Sequence, residues 1–187
     1  MEGNYFWDKR SGKQVENDFN VGKENERRAM AAIKEYCEIF PGKQPFHVLS
    51  YEELGGDEEF YADGRGRPYN PDFRVKIQNI RTGLGPIRIY WAELKTTPYT
   101  LNCDIWVKKS QLDNLARRFG KMGLVIVSDP VKFAIKDVLS YINQSFIKEI
   151  KEIGGKECYL IKYSYLHWIQ YNFAINFIQK ERDEKQT

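Results

Sequence analysis

Hydrophobic and polar positions alternate with two different periods along this chain, and the switch between them marks out its elements. Met30, Ile33 and Cys37 recur at helical spacing, flanked by Ala29 and Tyr36. That stripe predicts a helix from near Gly22 to about Phe40, stopped by Pro41-Gly42. His47 to Tyr51 is compatible with a short strand, and a turn-rich acidic stretch, Glu52 to Asp63, follows it. From Phe73 the period drops to two: Phe73, Val75 and Ile77 alternate with Arg74, Lys76 and Gln78. The run RTGLGP, residues 81–86, is a turn signal, and Ile87 to Leu94 is a second β-rich run. Asn102 to Lys108 reads as a further strand. Ser110 is placed as the N-cap of a helix carrying Leu112, Leu115, Ala116 and Phe119 and closed by Gly120. Leu124 to Val127 reads as a short buried strand, and Asp137 to Ile153 as an amphipathic helix ended by Gly154-Gly155. Glu157 to Tyr163 is expected to be a strand and Tyr165 to Gln179 a final aromatic-rich helix. The resulting order, α-β-β-β-α-β-α-β-α, is that of an α/β or α+β domain built on a central mixed sheet.

Composition narrows this picture without redirecting it. A chain of 187 residues, 42% hydrophobic and 29% charged, fits one globular domain, residues 1–187. The segment Met1 to Lys13 is polar, which argues against a signal peptide, and no apolar run approaches the ~18 residues of a membrane span. Cys37, Cys103 and Cys158 are odd in number and scattered, so they read as reduced thiols in a cytoplasmic compartment. With only His47 and His167, a histidine-based metal site or Ser-His chemistry is poorly supplied. The ends, roughly the first dozen residues and the tail 179–187, are expected to fray.

Net charge is only +3, but its distribution is uneven. Between Gly64 and Lys121 there are twelve Lys and Arg against four acids, Asp72, Glu93, Asp104 and Asp113. That segment carries +8, and the rest of the chain −5. A local basic excess of this kind suits a polyanionic partner, although solvated strand edges and helix faces would give the same count.

Within the basic segment sits the pattern that carries chemistry. Pro71-Asp72 is followed, after residues 73–92, by Glu93-Leu94-Lys95. On a strand, Glu93 and Lys95 project to one side and Leu94 to the other. If the intervening residues form a hairpin, Asp72 returns beside Glu93. Two carboxylates sharing a divalent cation with an ammonium alongside suit attack of water on a phosphodiester. Two other Glu-x-Lys triplets serve as controls. Glu149-Ile150-Lys151 falls in the expected helix, and Asp183-Glu184-Lys185 lies in the charged tail. The first helix offers a third acid: Glu26 shares the stripe of Met30, Ile33 and Cys37, whereas Glu24 falls with Arg28 and Glu35 on the polar side. Helix-dipole stabilisation would equally account for an acid there.

Pro71-Asp72 with Glu93-Leu94-Lys95, preceded by a helix with an internal Glu, resembles the PD-(D/E)XK nuclease superfamily. The run Gly22-Lys-Glu-Asn-Glu26-Arg-Arg-Ala is similar to the first-helix motif of its archaeal Holliday-junction-resolvase-like branch. The likeness spans about residues 20–128. It implies a restriction-endonuclease-like core, α-β-β-β-α-β; beyond the likeness, the residue pattern reads 129–178 as a helix-strand-helix extension and 179–187 as a tail. It also implies a Mg²⁺-dependent deoxyribonuclease in which Mn²⁺ substitutes. Asp72, Glu93 and the Leu94 carbonyl would ligate the metal, and Glu26 would hold a second metal or its water shell. Lys95 would orient or help deprotonate water, and Gln111 would lie near the scissile phosphate or simply on the surface. Arg65, Arg67, Lys108 and Lys109 are candidates for DNA phosphates, with Tyr69 and Tyr99 near the cleaved strand. The acids of Glu52 to Asp63 depart from a wholly basic groove. The stripe Tyr165, Trp168, Ile169, Phe173 and Phe177 would either pair two copies in a homodimer or close the core.

Overall fold

The computed structural model describes residues 12–54, 70–80, 85–100, 104–142, 147–153 and 155–179. Helix α1 spans Gly12–Ile39, followed by strands β1 (Phe46–Glu53), β2 (Phe73–Asn79), β3 (Ile87–Thr96) and β4 (Ile105–Lys108). Helix α2 (Lys109–Phe119) leads to β5 (Gly123–Ser128) and β6 (Lys132–Asp137). The short helix α3 (Val138–Ile142), the hairpin strands β7 (Ile147–Ile153) and β8 (Lys156–Ile161), and β9 (Ile169–Gln170) complete the order. Among the described residues β1, β2, β3, β5, β6 and β9 form one sheet in that order, and β4, β8 and β7 form a second. Only β3 and β5 run parallel in the larger sheet; every other neighbour is antiparallel. The protein is therefore α/β with a central mixed sheet flanked by helices, and α1, β1 to β3, α2 and β5 follow the expected α-β-β-β-α-β order.

Alternation explains the sheet's two-sided core. Phe73, Val75 and Ile77 of β2 are buried while Arg74 and Lys76 are exposed. Those apolar side chains meet Ala29, Met30, Ile33 and Cys37 of α1, with Ala92 and Leu94 of β3 beside them. On the other side, Leu112 and Leu115 of α2 pack with Val125 and Val127 of β5 and with Val107, Tyr159 and Ile161 of the second sheet. Trp91 of β3 stacks on Phe119 of α2 with ring centroids 4.7 Å apart, which ties that helix to the same strand. Gly123 makes the approach of α2 possible, because a Cβ there would sit 2.9 Å from Val138 and 3.0 Å from Leu115.

Several expectations are corrected. Helix α1 begins at Gly12 rather than near Gly22, because an exposed helix tolerates an interior glycine at a cost of ~1 kcal/mol. Glu52 and Glu53 belong to β1 and not to a loop, since Arg74 and Arg27 pair with them. Helix α2 starts at Lys109, and the residue at its N-cap is Lys108, with no side-chain cap from Ser110. Gly120 does close it, at φ 52°, donating its N–H to the Ala116 carbonyl. Strand β4, counted as one of the run before α2, joins the second sheet; β1 supplies the first strand of the main one.

The largest differences lie beyond residue 129. Asp129 accepts the N–H groups of Val131 (2.8 Å) and Lys132 (2.9 Å), so Asp129-Pro130 turns the chain into β6, a strand the spacing did not announce. Of the expected helix Asp137 to Ile153, residues 138–142 form α3, whereas residues 147–153 form β7. Gly155, at φ 73°, lies where Ile153 pairs with Lys156, so the chain there makes a hairpin rather than a helix stop. Tyr165 to Gln179 forms no helix. It runs extended over the sheet, with the Tyr171 N–H on the Val131 carbonyl (2.8 Å) and the Ile175 N–H on the Pro130 carbonyl (2.7 Å). Phe177 is buried, and Ile169 and Phe173 partly so, in the cluster that includes α1, so these three positions of the stripe close the core from extended chain rather than from a helix.

Candidate active site

The β2–β3 hairpin positions the acids. Phe73 pairs with Ala92 across the hairpin, which sets Asp72 beside Glu93. The Leu94 N–H donates to Asp72 Oδ2 at 2.8 Å, fixing the carboxylate against the neighbouring strand. Leu94 itself is fully buried under α1, and Glu93 and Lys95 alternate onto the side where Trp91 meets α2. Glu93 is 0% exposed and accepts a hydrogen bond from Lys95 Nζ at 2.6 Å. A fully buried carboxylate is tolerated only with such a partner.

Helix α1 brings two more charges. Lys23 Nζ lies 3.8 Å from Glu26 Oε2 and 3.7 Å from Asp72 Oδ1, so it bridges the helix acid to the strand acid. Glu26 Oε2 is buried and has no hydrogen-bond partner. Glu24 is turned away and accepts from Arg28 Nε at 2.9 Å, while Arg27 pairs with Glu53 of β1. Lys23 was not singled out in the sequence. Its signal was available: it precedes Glu26 by one helical turn and shares its face.

Charge and burial perturb the group strongly. Burial, followed by the Glu93 charge, raises Asp72 from the ordinary carboxylate value to about 8. Burial raises Glu26 as well, against the opposing pull of Lys95 and Lys23. Burial draws Lys95 down, but the Glu93 and Asp72 charges more than offset it, so Lys95 ends above an ordinary lysine and stays an ammonium. The cluster thus holds more negative charge than its two lysines neutralise, and a proton makes up the difference.

A hard divalent cation fits that imbalance. The donors are all oxygen, one buried carboxylate oxygen of Glu26 lacks a hydrogen-bond partner, and Asp72 is pushed toward taking a proton that a cation would displace. Among the described residues, no three His, Cys, Asp or Glu side chains converge into a ready-made cage. Lys23 lies within ion-pair distance of both Glu26 and Asp72, and Lys95 holds one oxygen of Glu93.

The remaining sequence candidates separate. Gln111 is buried, 6% exposed, in the first turn of α2, so the surface reading of it is wrong. Lys108 ends β4, and Lys109 opens α2 with its ammonium 3.0 Å from Asp113 and 3.7 Å from Glu157. Tyr99 is 55% exposed beyond the end of β3. Arg65, Arg67, Tyr69 and Cys103 lie outside the described residues, as do Asp57, Glu58, Glu59 and Asp63 of the acidic stretch. The Glu149-Ile150-Lys151 control proves to be on β7, not a helix. There Ile150 is exposed and Lys151 lies 5.8 Å from the Trp106 ring, so it lacks the buried middle residue that Leu94 supplies.

Among the described residues no helix is long and apolar enough to cross a membrane. No family model matches the chain. No curated protein matches it. Among solved structures it is similar to Hjc, a Holliday junction resolvase from the archaeal hyperthermophile Archaeoglobus fulgidus. The two share 16% identity over 76% of this chain and 84% of that one, with a TM-score of 0.40.

Proposed function

We propose that this protein is a divalent-cation-dependent nuclease that hydrolyses phosphodiester bonds in DNA, of resolvase-like or restriction-like type. The observation that carries the reading is the junction of Asp72, Glu93 and Lys95 at the β2–β3 hairpin, with Glu26 brought to it from α1. Buried ion clusters are often no more stabilising than apolar residues of the same volume, so three largely buried acids beside two lysines suit a chemical task. Asp72, Glu93 and the Leu94 carbonyl would hold Mg²⁺, or Mn²⁺ in its place. When bound, the cation supplies polarisation of the phosphate and activation of water.

The chain's own groups have distinct tasks in this reading. Lys95, kept as an ammonium and 26% exposed, orients the attacking water and balances charge on the pentavalent phosphate. Its retained proton favours that task over service as a general base. Glu26 holds water at the cation's second shell or a further cation. Gln111, buried in the first turn of α2, would support the α2 side of the site. Lys108, Lys109 and Tyr99, with Arg65, Arg67 and Tyr69, would contact the nucleic-acid strand, which makes binding salt-dependent.

The test is cleavage of plasmid, linear duplex, single-stranded and four-way-junction DNA with Mg²⁺, Mn²⁺ or chelator. The expected result is cleavage of at least one substrate that chelator abolishes. Binding without cleavage in every metal condition would favour a catalytically weak nucleic-acid-binding protein on the same fold.

A further inference from the structure

We propose that Lys23 is a built-in cation of this centre, occupying the place between Glu26 and Asp72 that a second divalent ion would fill, so that the site takes one divalent ion per chain. The inference rests on the nuclease reading above and sharpens it by assigning Glu26 to an ammonium rather than to a second metal.

Geometry comes first. Lys23 Nζ lies 3.8 Å from Glu26 Oε2 and 3.7 Å from Asp72 Oδ1, and its side chain is only 10% exposed. A divalent ion held by Glu26 and Asp72 together would use those same two oxygens, so the ammonium competes with it for them. The Phe19 ring, 5.7 Å from Nζ, adds a cation–π contact that favours a positive charge there.

Charge makes the same argument. Glu26, Asp72 and Glu93 against Lys23 and Lys95 give a fully ionised cluster of formal charge −1. One divalent ion brings it to +1, which a single phosphodiester anion neutralises. Two divalent ions with Lys23 in place would leave +3 in a largely buried site before substrate arrives. Uncompensated charge on that scale is strongly unfavourable away from water. Without the lysine, the acids and Lys95 carry −2, and a second ion becomes admissible.

The experiment counts bound Mn²⁺ on the full chain by electron paramagnetic resonance, for the wild type, Lys23→Met, Lys23→Gln and Asp72→Asn. The expected counts are one ion per chain for the wild type and two for both Lys23 variants, with spin–spin broadening in the latter. Asp72→Asn should weaken binding at least tenfold. Two Lys23 variants are used so that a packing defect in one does not decide the result, and circular dichroism checks the fold of both. A purely structural lysine would change stability and leave the count at one. Two ions in the wild type, or the same Asp72-dependent count in all Lys23 forms, overturns the inference and leaves the nuclease reading standing. Absence of any Asp72-dependent Mn²⁺ binding overturns both.

Discussion

Asp72 shows how one side chain can be set by several elements at once. Its backbone precedes β2, its Oδ2 accepts from Leu94 of β3, and its Oδ1 faces Lys23 of α1. Burial and Glu93 raise it to about 8 from an ordinary value of 3.8. The folded protein holds a proton that the unfolded chain has lost above about pH 4, so this group's stabilising contribution is full below that pH. It falls away as pH rises through about 8. In chelator, the wild type should therefore lose urea resistance between pH 5 and pH 9 more steeply than Asp72→Asn does. Added Mg²⁺ should flatten the wild-type curve, because the cation takes over from the proton. Identical slopes for the two proteins would show that Asp72 is not so perturbed.

At the level of elements, what could be read depended on whether a segment's neighbours were close in sequence. The β2–β3 hairpin was legible because its period-two pattern and its glycine-rich turn agree. Helix α2 was legible for the same reason, with Leu112 and Leu115 on one face and Gly120 at its end. Residues 147–153 were not, because isoleucines three apart suit a helix stripe as well as a strand, and pairing with β8 decides the matter. The aromatic segment failed similarly: its helical spacing records side chains dropped one by one into the core between α1 and the sheet. That segment also clamps the site helix. Asn25, next to Glu26, exchanges two hydrogen bonds with the Ile178 backbone, at 2.9 and 2.8 Å, and Arg28 donates to the Asn176 carbonyl at 2.6 Å. Asn25→Ala should lower stability by about 1–3 kcal/mol in denaturant melts. It should also expose the C-terminal segment to early hydrogen exchange. Unchanged exchange there would mean that the clamp is idle.

For the whole molecule, the fold gathers charge that its sequence keeps far apart. Residues 23 and 26 come from α1, 72 from the start of β2, and 93 and 95 from the central strand. The α1 acid and the hairpin acids were visible in the sequence as spacing. The lysine between them was not, because its meaning depends on Asp72, which is remote in the chain. A mixed sheet with α1 on one face and α2 on the other gathers this cluster at the β2–β3 hairpin, and leaves apolar packing to hold everything else. The most direct measurement compares the wild type, Asp72→Ala and Lys95→Ala for DNA cleavage and DNA binding in parallel, with Mg²⁺ present. Either substitution should lower cleavage by about a hundredfold or more while binding changes by less than about threefold, since charge stabilisation of this kind is worth ~10²–10³ in rate. Equal cleavage by the wild type and Asp72→Ala would rule out the assigned site.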